Sequence, residues 1–185
     1  MVMLPGIGYT CDRSLMYYTG RLAAEMGYEI IRVNYGGFPR NLRGNAEGLR
    51  ACLDSAEAQA RALLAQVEWD RYDEIVFTGK SIGTAVACRL ARTLGAPSRC
   101  VLLTPLPQTF EDAPPRQAIA FHGTADPWAD TPTIRAACAE AHTPLCITEN
   151  ANHSLETGDA LRDIEILAEV IRTVRAFLAN GNTCQ

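Results

Sequence analysis

The chain has 185 residues, 48% of them hydrophobic, and a formal net charge of −4. This length and composition suffice for one domain with a hydrophobic core, and we expect residues 1–185 to form a single domain. The acidic balance and the lack of a basic stripe argue against nucleic acid or an anionic membrane as a partner. No apolar run reaches the roughly 18 residues of a membrane span.

The N-terminus lacks the basic, apolar and small-residue order of a signal peptide. The seven cysteines are odd in number, form no Cys-x-x-Cys pair and fall mostly within apolar patterns. Such thiols behave as small hydrophobic side chains. The sequence therefore predicts a cytoplasmic location, with neither a disulfide framework nor a zinc site.

The predicted elements alternate between strands and helices along the chain. We expect strands at 2–5, 28–35, 74–79, 99–106, 117–123 and 144–150, and helices at 13–26, 46–68, 82–95, 132–141 and from about 161 to 178. Crossovers of this length require a mostly parallel sheet with helices on both faces. The prediction is an α/β fold, a three-layer sandwich around a six-stranded sheet, in which ligands bind at the carboxyl ends of the strands.

The stretch 79–83 reads Gly-Lys-Ser-Ile-Gly and has two readings. A phosphate-binding P-loop requires a glycine five residues before Gly79, where this chain has Glu74, so that reading fails. The alternative is the Gly-x-Ser-x-Gly elbow, which places a nucleophilic serine on a sharp turn between a strand and a helix. A buried strand precedes Ser81 and a helical pattern follows it, as the elbow requires.

Two other strands are followed by residues that suit the same chemistry. Asp126 follows the fifth strand and His153 the sixth. A serine hydroxyl needs a base to remove its proton, and a histidine base needs a carboxylate to orient it. We therefore expect Ser81 to be the nucleophile, His153 the base and Asp126 the orienting acid, while Asp130 and Asp112 remain alternatives for the acid. His122 is expected to pack beneath the site and His142 to lie at the surface.

The segments PGIG, GKSIG, HGTADP and ANHSLE together resemble those of the α/β-hydrolase superfamily, near its small, cap-less dienelactone-hydrolase-like and esterase-like members. The resemblance implies a minimal core that lacks the first two strands of the fold and has no cap domain. It also implies an oxyanion hole made by the backbone N–H groups of Ile82 and Ile7. The oxyanion loop begins with Pro-Gly where many relatives have His-Gly.

This reading predicts a serine hydrolase that cleaves a small carboxylic ester, thioester or lactone through an acyl-enzyme, with no metal or cofactor. A serine peptidase and a non-catalytic binding protein of the same fold are the alternatives. The expected partner is a small-molecule substrate, and the sheet edges permit a homodimer. The candidate pocket residues are Gly6, Gly8, Tyr9, Cys11, Lys80 and Trp128.

Overall fold

The computed structural model describes residues 1–39, 42–94, 97–111, 114 and 117–180. Its six strands form one sheet in the order β2-β1-β3-β4-β5-β6, and every neighbouring pair is parallel. The strands are β1 Val2–Leu4, β2 Ile31–Arg32, β3 Ile75–Lys80, β4 Ser98–Leu103, β5 Gln117–Gly123 and β6 Leu145–Thr148. The predicted six-stranded parallel α/β architecture is therefore confirmed.

Helices cover both faces of the sheet and give it two hydrophobic cores. They are α1 Ser14–Glu25, α2 Ala46–Leu64, α3 Ile82–Leu94, α4 Thr131–Glu140 and α5 Ala160–Asn180. Helices α2, α3 and α4 contribute to one core, and α1 and α5 to the other. In the described parts of the chain, no helix combines the length and apolarity needed to cross a bilayer.

Several local predictions were wrong. Strand β2 has two residues rather than eight, because it lies at the sheet edge and pairs with β1 alone. Leu161 and Ile164, which were placed in the core stripe of α5, are 76% and 63% exposed. The face of α5 that packs on the sheet instead carries Ile166, Val170, Val174, Phe177 and Leu178.

The cysteines also depart from the prediction at one position. Cys11, Cys52, Cys88, Cys100 and Cys138 are buried free thiols, as their apolar surroundings indicated. Cys146 is disulfide-bonded, a pairing that the expectation of no disulfide framework did not anticipate. Burial raises the pKa of Cys11 to about 11, which keeps this thiol protonated at neutral pH.

Candidate active site

The turn between β3 and α3 has the geometry of a nucleophile elbow. Ser81 lies between the last residue of β3 and the first of α3 and has a φ of 56°. This left-handed conformation is unfavourable for a residue with a Cβ, and it persists only where the surroundings impose it. Thr84 holds the turn, since its N–H and its Oγ1 both donate to the Ser81 carbonyl, at 2.9 and 2.6 Å.

The two glycines that flank the serine are required by close backbone contacts. A Cβ on Gly79 would lie 2.5 Å from the backbone carbon of Gly83 and from the Cα of Thr84. A Cβ on Gly83 would lie 2.7 Å from the carbonyl oxygen of Pro5 and closer still to that of Leu4. The elbow therefore packs directly against the loop that follows β1, with no room for side chains between them.

Ser81, His153 and Asp126 are joined by a chain of hydrogen bonds. Ser81 Oγ lies 2.9 Å from His153 Nε2, and His153 Nδ1 lies 2.6 Å from Asp126 Oδ2. The other carboxylate oxygen, Oδ1, accepts a hydrogen bond of 2.8 Å from the Trp128 N–H. The Asp126 side chain is fully buried, whereas the His153 ring retains 17% exposure. The structure thus brings together the three residues that the sequence singled out.

The loop after β6 presents His153 to the serine through its own hydrogen bonds. Asn152 Oδ1 accepts from the N–H groups of Ser154 and Glu156, at 2.7 and 3.2 Å. The Asn152 N–H donates to the Glu156 carbonyl at 2.8 Å, and buried Leu155 anchors the loop in the core. The orientation of the imidazole is therefore fixed by its own loop as well as by Asp126.

Burial lowers the pKa of His153 from its ordinary value of 6.5. The hydrogen bond to Asp126 opposes this shift, and the positive charge of Lys80 adds to it. Trp128 lies beside the ring, with its centroid 5.9 Å from that of the imidazole, and contributes to the desolvation. His153 is therefore neutral at physiological pH and able to accept a proton.

Two backbone amides in the segments that meet at Ser81 lack a hydrogen-bond partner among the described residues. The N–H groups of Ile7 and Ile82 have no hydrogen-bond acceptor among the described residues. Ile7 lies in a turn that two backbone hydrogen bonds between Gly6 and Tyr9 close, at 3.1 and 3.3 Å. Ile82 is the first residue of α3, where backbone N–H groups have no partner within the helix.

A cleft of about 650 Å³ opens beside this turn, between the loops that follow β1 and β2. Among the predicted pocket residues, Gly6, Gly8 and Cys11 line it. Its other walls include Arg32, Val33, Asn34, Tyr35 and Phe38. Tyr9, Lys80 and Trp128 do not line this cleft. The loop after β2 was not among the predicted site residues, although its position at the carboxyl end of a strand pointed to it.

The alternative acids have other roles or lie outside the described residues. Asp130 caps α4, where its Oδ1 accepts a hydrogen bond of 3.0 Å from the Thr133 N–H. Glu111, the acidic residue that precedes Asp112 after β4, pairs with Arg50, with 2.6 Å between the charged atoms. Asp112 lies outside the described residues. Of the described candidates, only Asp126 contacts His153.

The two other histidines are found where the sequence placed them. His122 is fully buried beneath the site, with its Nε2 3.0 Å from Thr131 Oγ1, and His142 is exposed. His122 Nδ1 lies 3.9 Å from Asp126 Oδ2 and has no hydrogen-bond partner in the described chain. In the same described segments, no group of three or more His, Cys, Asp or Glu residues is arranged to hold a metal ion.

Several solved structures with this architecture are described as α/β hydrolases or esterases. A protein from Xanthomonas campestris pv. campestris assigned to the α/β-hydrolase superfamily is 15% identical, with a TM-score of 0.64 over 95% of this chain and 97% of its own. A lid-less α/β serine hydrolase from Xanthomonas campestris is 16% identical, with a TM-score of 0.62; the match covers 100% of this chain and 83% of that protein. An esterase from Pyrococcus furiosus is 11% identical, with a TM-score of 0.62; the match covers 92% of this chain and 78% of that protein.

No family model and no curated protein matches the sequence. At these identities the structural similarity establishes the fold alone. The chain has the α/β-hydrolase fold, as the sequence motifs predicted, and the residues that the structure describes form no cap domain between its strands.

Proposed function

We propose that the chain is a serine hydrolase in which Ser81 is the nucleophile, His153 the general base and Asp126 the acid that orients His153. The observation that carries this proposal is the continuous hydrogen-bond chain from Ser81 Oγ through both ring nitrogens of His153 to a buried carboxylate. Each residue follows a different strand, so this arrangement does not result from local sequence proximity. A helix cap or a surface histidine would not need these contacts.

In the proposed reaction, Ser81 Oγ attacks the carbonyl carbon of the substrate while its proton passes to His153 Nε2. Asp126 stabilises the resulting imidazolium through the hydrogen bond to Nδ1. The leaving group departs with the proton from Nε2 and leaves an acyl group on Ser81. Water then attacks the acyl-enzyme, with His153 again acting as base, and restores the serine.

The negative oxygen that develops on the carbonyl needs donors that are fixed in advance. The N–H groups of Ile82 and Ile7 are the proposed donors, because both are unpaired in the described chain, Ile82 directly follows Ser81, and the Gly6 that precedes Ile7 packs close to the Ser81 side chain. The N-terminus of α3 adds a favourable field for the negative charge. Side chains and backbone amides supply all of the proposed chemistry, with no metal or cofactor.

We propose a carboxylic ester, thioester or lactone as the substrate class, since an alcohol or thiol leaves more easily than an amine. The cleft has the volume of a small-molecule pocket and both polar and apolar walls; it reaches the turn that carries Ile7, whereas Ser81 and His153 are not among its lining residues. No cap domain covers it in the described segments, so we expect small, accessible substrates. A kinship with the dienelactone-hydrolase group, a cytoplasmic location and a homodimer stay predictions.

The test is covalent labelling with a fluorophosphonate probe, which reacts only with an activated serine. Wild type should be labelled, and Ser81→Ala and His153→Ala should not. His142→Ala is the matched control, because it removes an exposed histidine outside the site and should leave labelling intact. An unlabelled wild type, beside a control hydrolase that reacts, would favour a binding protein of the same fold. A screen of p-nitrophenyl esters and thioesters would then define the acyl group.

A further inference from the structure

Lys80 is a buried lysine that the proposed reaction does not use. It is the last residue of β3 and directly precedes Ser81, yet it is only 1% exposed. Lysine is almost never buried without a partner, because desolvating an ammonium group is costly. Within the described residues, Lys80 Nζ makes no hydrogen bond and no ion pair, although the nitrogen itself is not completely shielded from solvent.

In the described part of the chain, the ammonium of Lys80 contacts an aromatic ring of the oxyanion turn. Lys80 Nζ lies over the face of Tyr9, 4.8 Å from the ring centroid. The stem of Lys80 runs beneath the same turn, since a Cβ on Gly6 would lie 3.6 Å from Lys80 Cγ and 3.2 Å from its carbonyl oxygen. Lys80 therefore fills the space between the nucleophile elbow and the turn from Gly6 to Tyr9.

The charged groups that face Lys80 come from the loops after β5 and β6. Burial lowers the pKa of Lys80 to about 7, although the negative charges of Asp126 and Glu156 favour the ammonium. In return, the charge of Lys80 lowers the pKa of His153. Tyr9 is not an anion here, because burial raises the pKa of its phenol. Lys80 thus changes its charge within the pH range in which a histidine-based hydrolase works.

We propose that Lys80 is a positioning residue whose ammonium, seated on the face of Tyr9, holds the Gly6–Tyr9 turn and its Ile7 N–H against the nucleophile elbow. This inference rests on the proposed function where it concerns catalysis. The aromatic face attracts a cation and has little attraction for a neutral amine. When Lys80 loses its proton, the turn is held less firmly and the oxyanion donor at Ile7 is less well placed.

The consequence is a pH profile with two opposing limbs. The labelling rate rises with pH as His153 loses its proton, because the neutral imidazole is the base. It then falls as the pH rises through about 7, where Lys80 loses its proton and the contact with Tyr9 weakens. A decline of roughly two- to thirtyfold corresponds to the range of cation–π energies. A triad that acts without Lys80 would give a plateau in this region.

The first experiment measures the second-order rate constant of fluorophosphonate labelling from pH 5 to 9. Wild type should show the alkaline decline. Lys80→Met should be slower at pH 6 and lack the decline, since its thioether does not titrate. Lys80→Arg should also lack it but label faster than Lys80→Met, because a guanidinium stays charged. A wild-type rate that stays level above pH 7, or a Lys80→Met profile that matches wild type, would overturn the proposal.

A second experiment does not depend on catalysis. A double-mutant cycle with Lys80→Met and Tyr9→Leu is measured by urea unfolding at pH 6 and pH 9. The two substitutions should be non-additive at pH 6 and additive at pH 9. In a matched cycle Tyr9→Phe, which keeps the ring and loses the hydroxyl, should leave the Lys80 effect intact. Additivity at pH 6 overturns the contact, even if labelling shows an active serine. If the cycle is non-additive at pH 6 but fluorophosphonate does not label the protein, the Lys80–Tyr9 contact is upheld and the serine-hydrolase proposal is rejected.

Discussion

Gly83→Ala tests whether the close approach of α3 to the oxyanion loop shapes the site. The new Cβ would lie 2.7 Å from the Pro5 carbonyl oxygen and closer to that of Leu4, and neither backbone group can rotate away. Restoring a normal carbon–oxygen contact requires α3 and the loop to separate by roughly 1 Å. A displacement of this size between reacting groups costs about 100-fold in rate. The overpacking should lower the free energy of unfolding by about 1–3 kcal/mol. Part of this loss is offset, because alanine stabilises a helix by roughly 1 kcal/mol relative to glycine.

The assay compares the rate constant of fluorophosphonate labelling with the urea midpoint for the same variant. Gly20→Ala is the matched control, because this glycine is also buried within a helix but the nearest atoms to its Cβ would be side-chain atoms, first the flexible end of Met3, 2.7 Å from the sulfur. The control should keep the wild-type labelling rate. A Gly83→Ala protein that labels as fast as wild type would refute the reasoning, since the elbow would then tolerate a side chain against the loop.

Three further predictions concern the same site. In an ester assay, Asp126→Asn should lower kcat by roughly 10⁴-fold. Asp130→Asn, which keeps a residue able to cap the helix, should leave kcat unchanged. Equal effects of the two substitutions would contradict our assignment of the acid. The acid limb of the pH profile of kcat/KM should have its midpoint below the ordinary histidine pKa of 6.5. Burial disfavours the imidazolium of His153, and activity falls as the pH drops through the pKa of this residue. A midpoint above 6.5 would argue against His153 as the buried base. Asn34→Trp should narrow the cleft and raise KM for esters with long acyl chains but not for acetate esters. An equal rise in KM for both kinds of ester would exclude the cleft as the site of the acyl chain.

Much of the site was predictable because a parallel sheet gathers the carboxyl ends of its strands at one edge. Ser81 directly follows β3, and Asp126 and His153 lie in the loops after β5 and β6, whose apolar runs are evident in the sequence. Once the strand order is parallel, loops that are far apart in sequence must meet there. The contacts of 2.6 and 2.9 Å between side chains were not predictable, because they depend on loop conformations such as the one that Asn152 holds around His153.

The helix faces were predicted less well. Hydrophobic periodicity identified α5, but it assigned Leu161 and Ile164 to the buried stripe although both are mainly exposed. Leu161 and Ile164 lie outside the helix face that carries Ile166, Val170 and Val174, so they gain little burial although they are apolar. Periodicity gives the repeat of a helix but does not decide which of several apolar stripes faces the core.

The choice between Asp126 and Asp130 illustrates a signal that was present in the sequence. Asp130 is followed by Thr131 and Pro132, and proline near a helix start after an aspartate is typical of an N-cap. The structure shows that cap, with the carboxylate bound to the Thr133 N–H.

The burial of Lys80, by contrast, had no signal in the sequence. Its side chain is buried because Leu4 is the last residue of β1 to pair with β3, opposite Gly79, and the chain then turns over Lys80. No pattern in Gly-Lys-Ser-Ile-Gly reveals that turn. The burial of this lysine follows from strand register and loop path, which only the folded chain supplies.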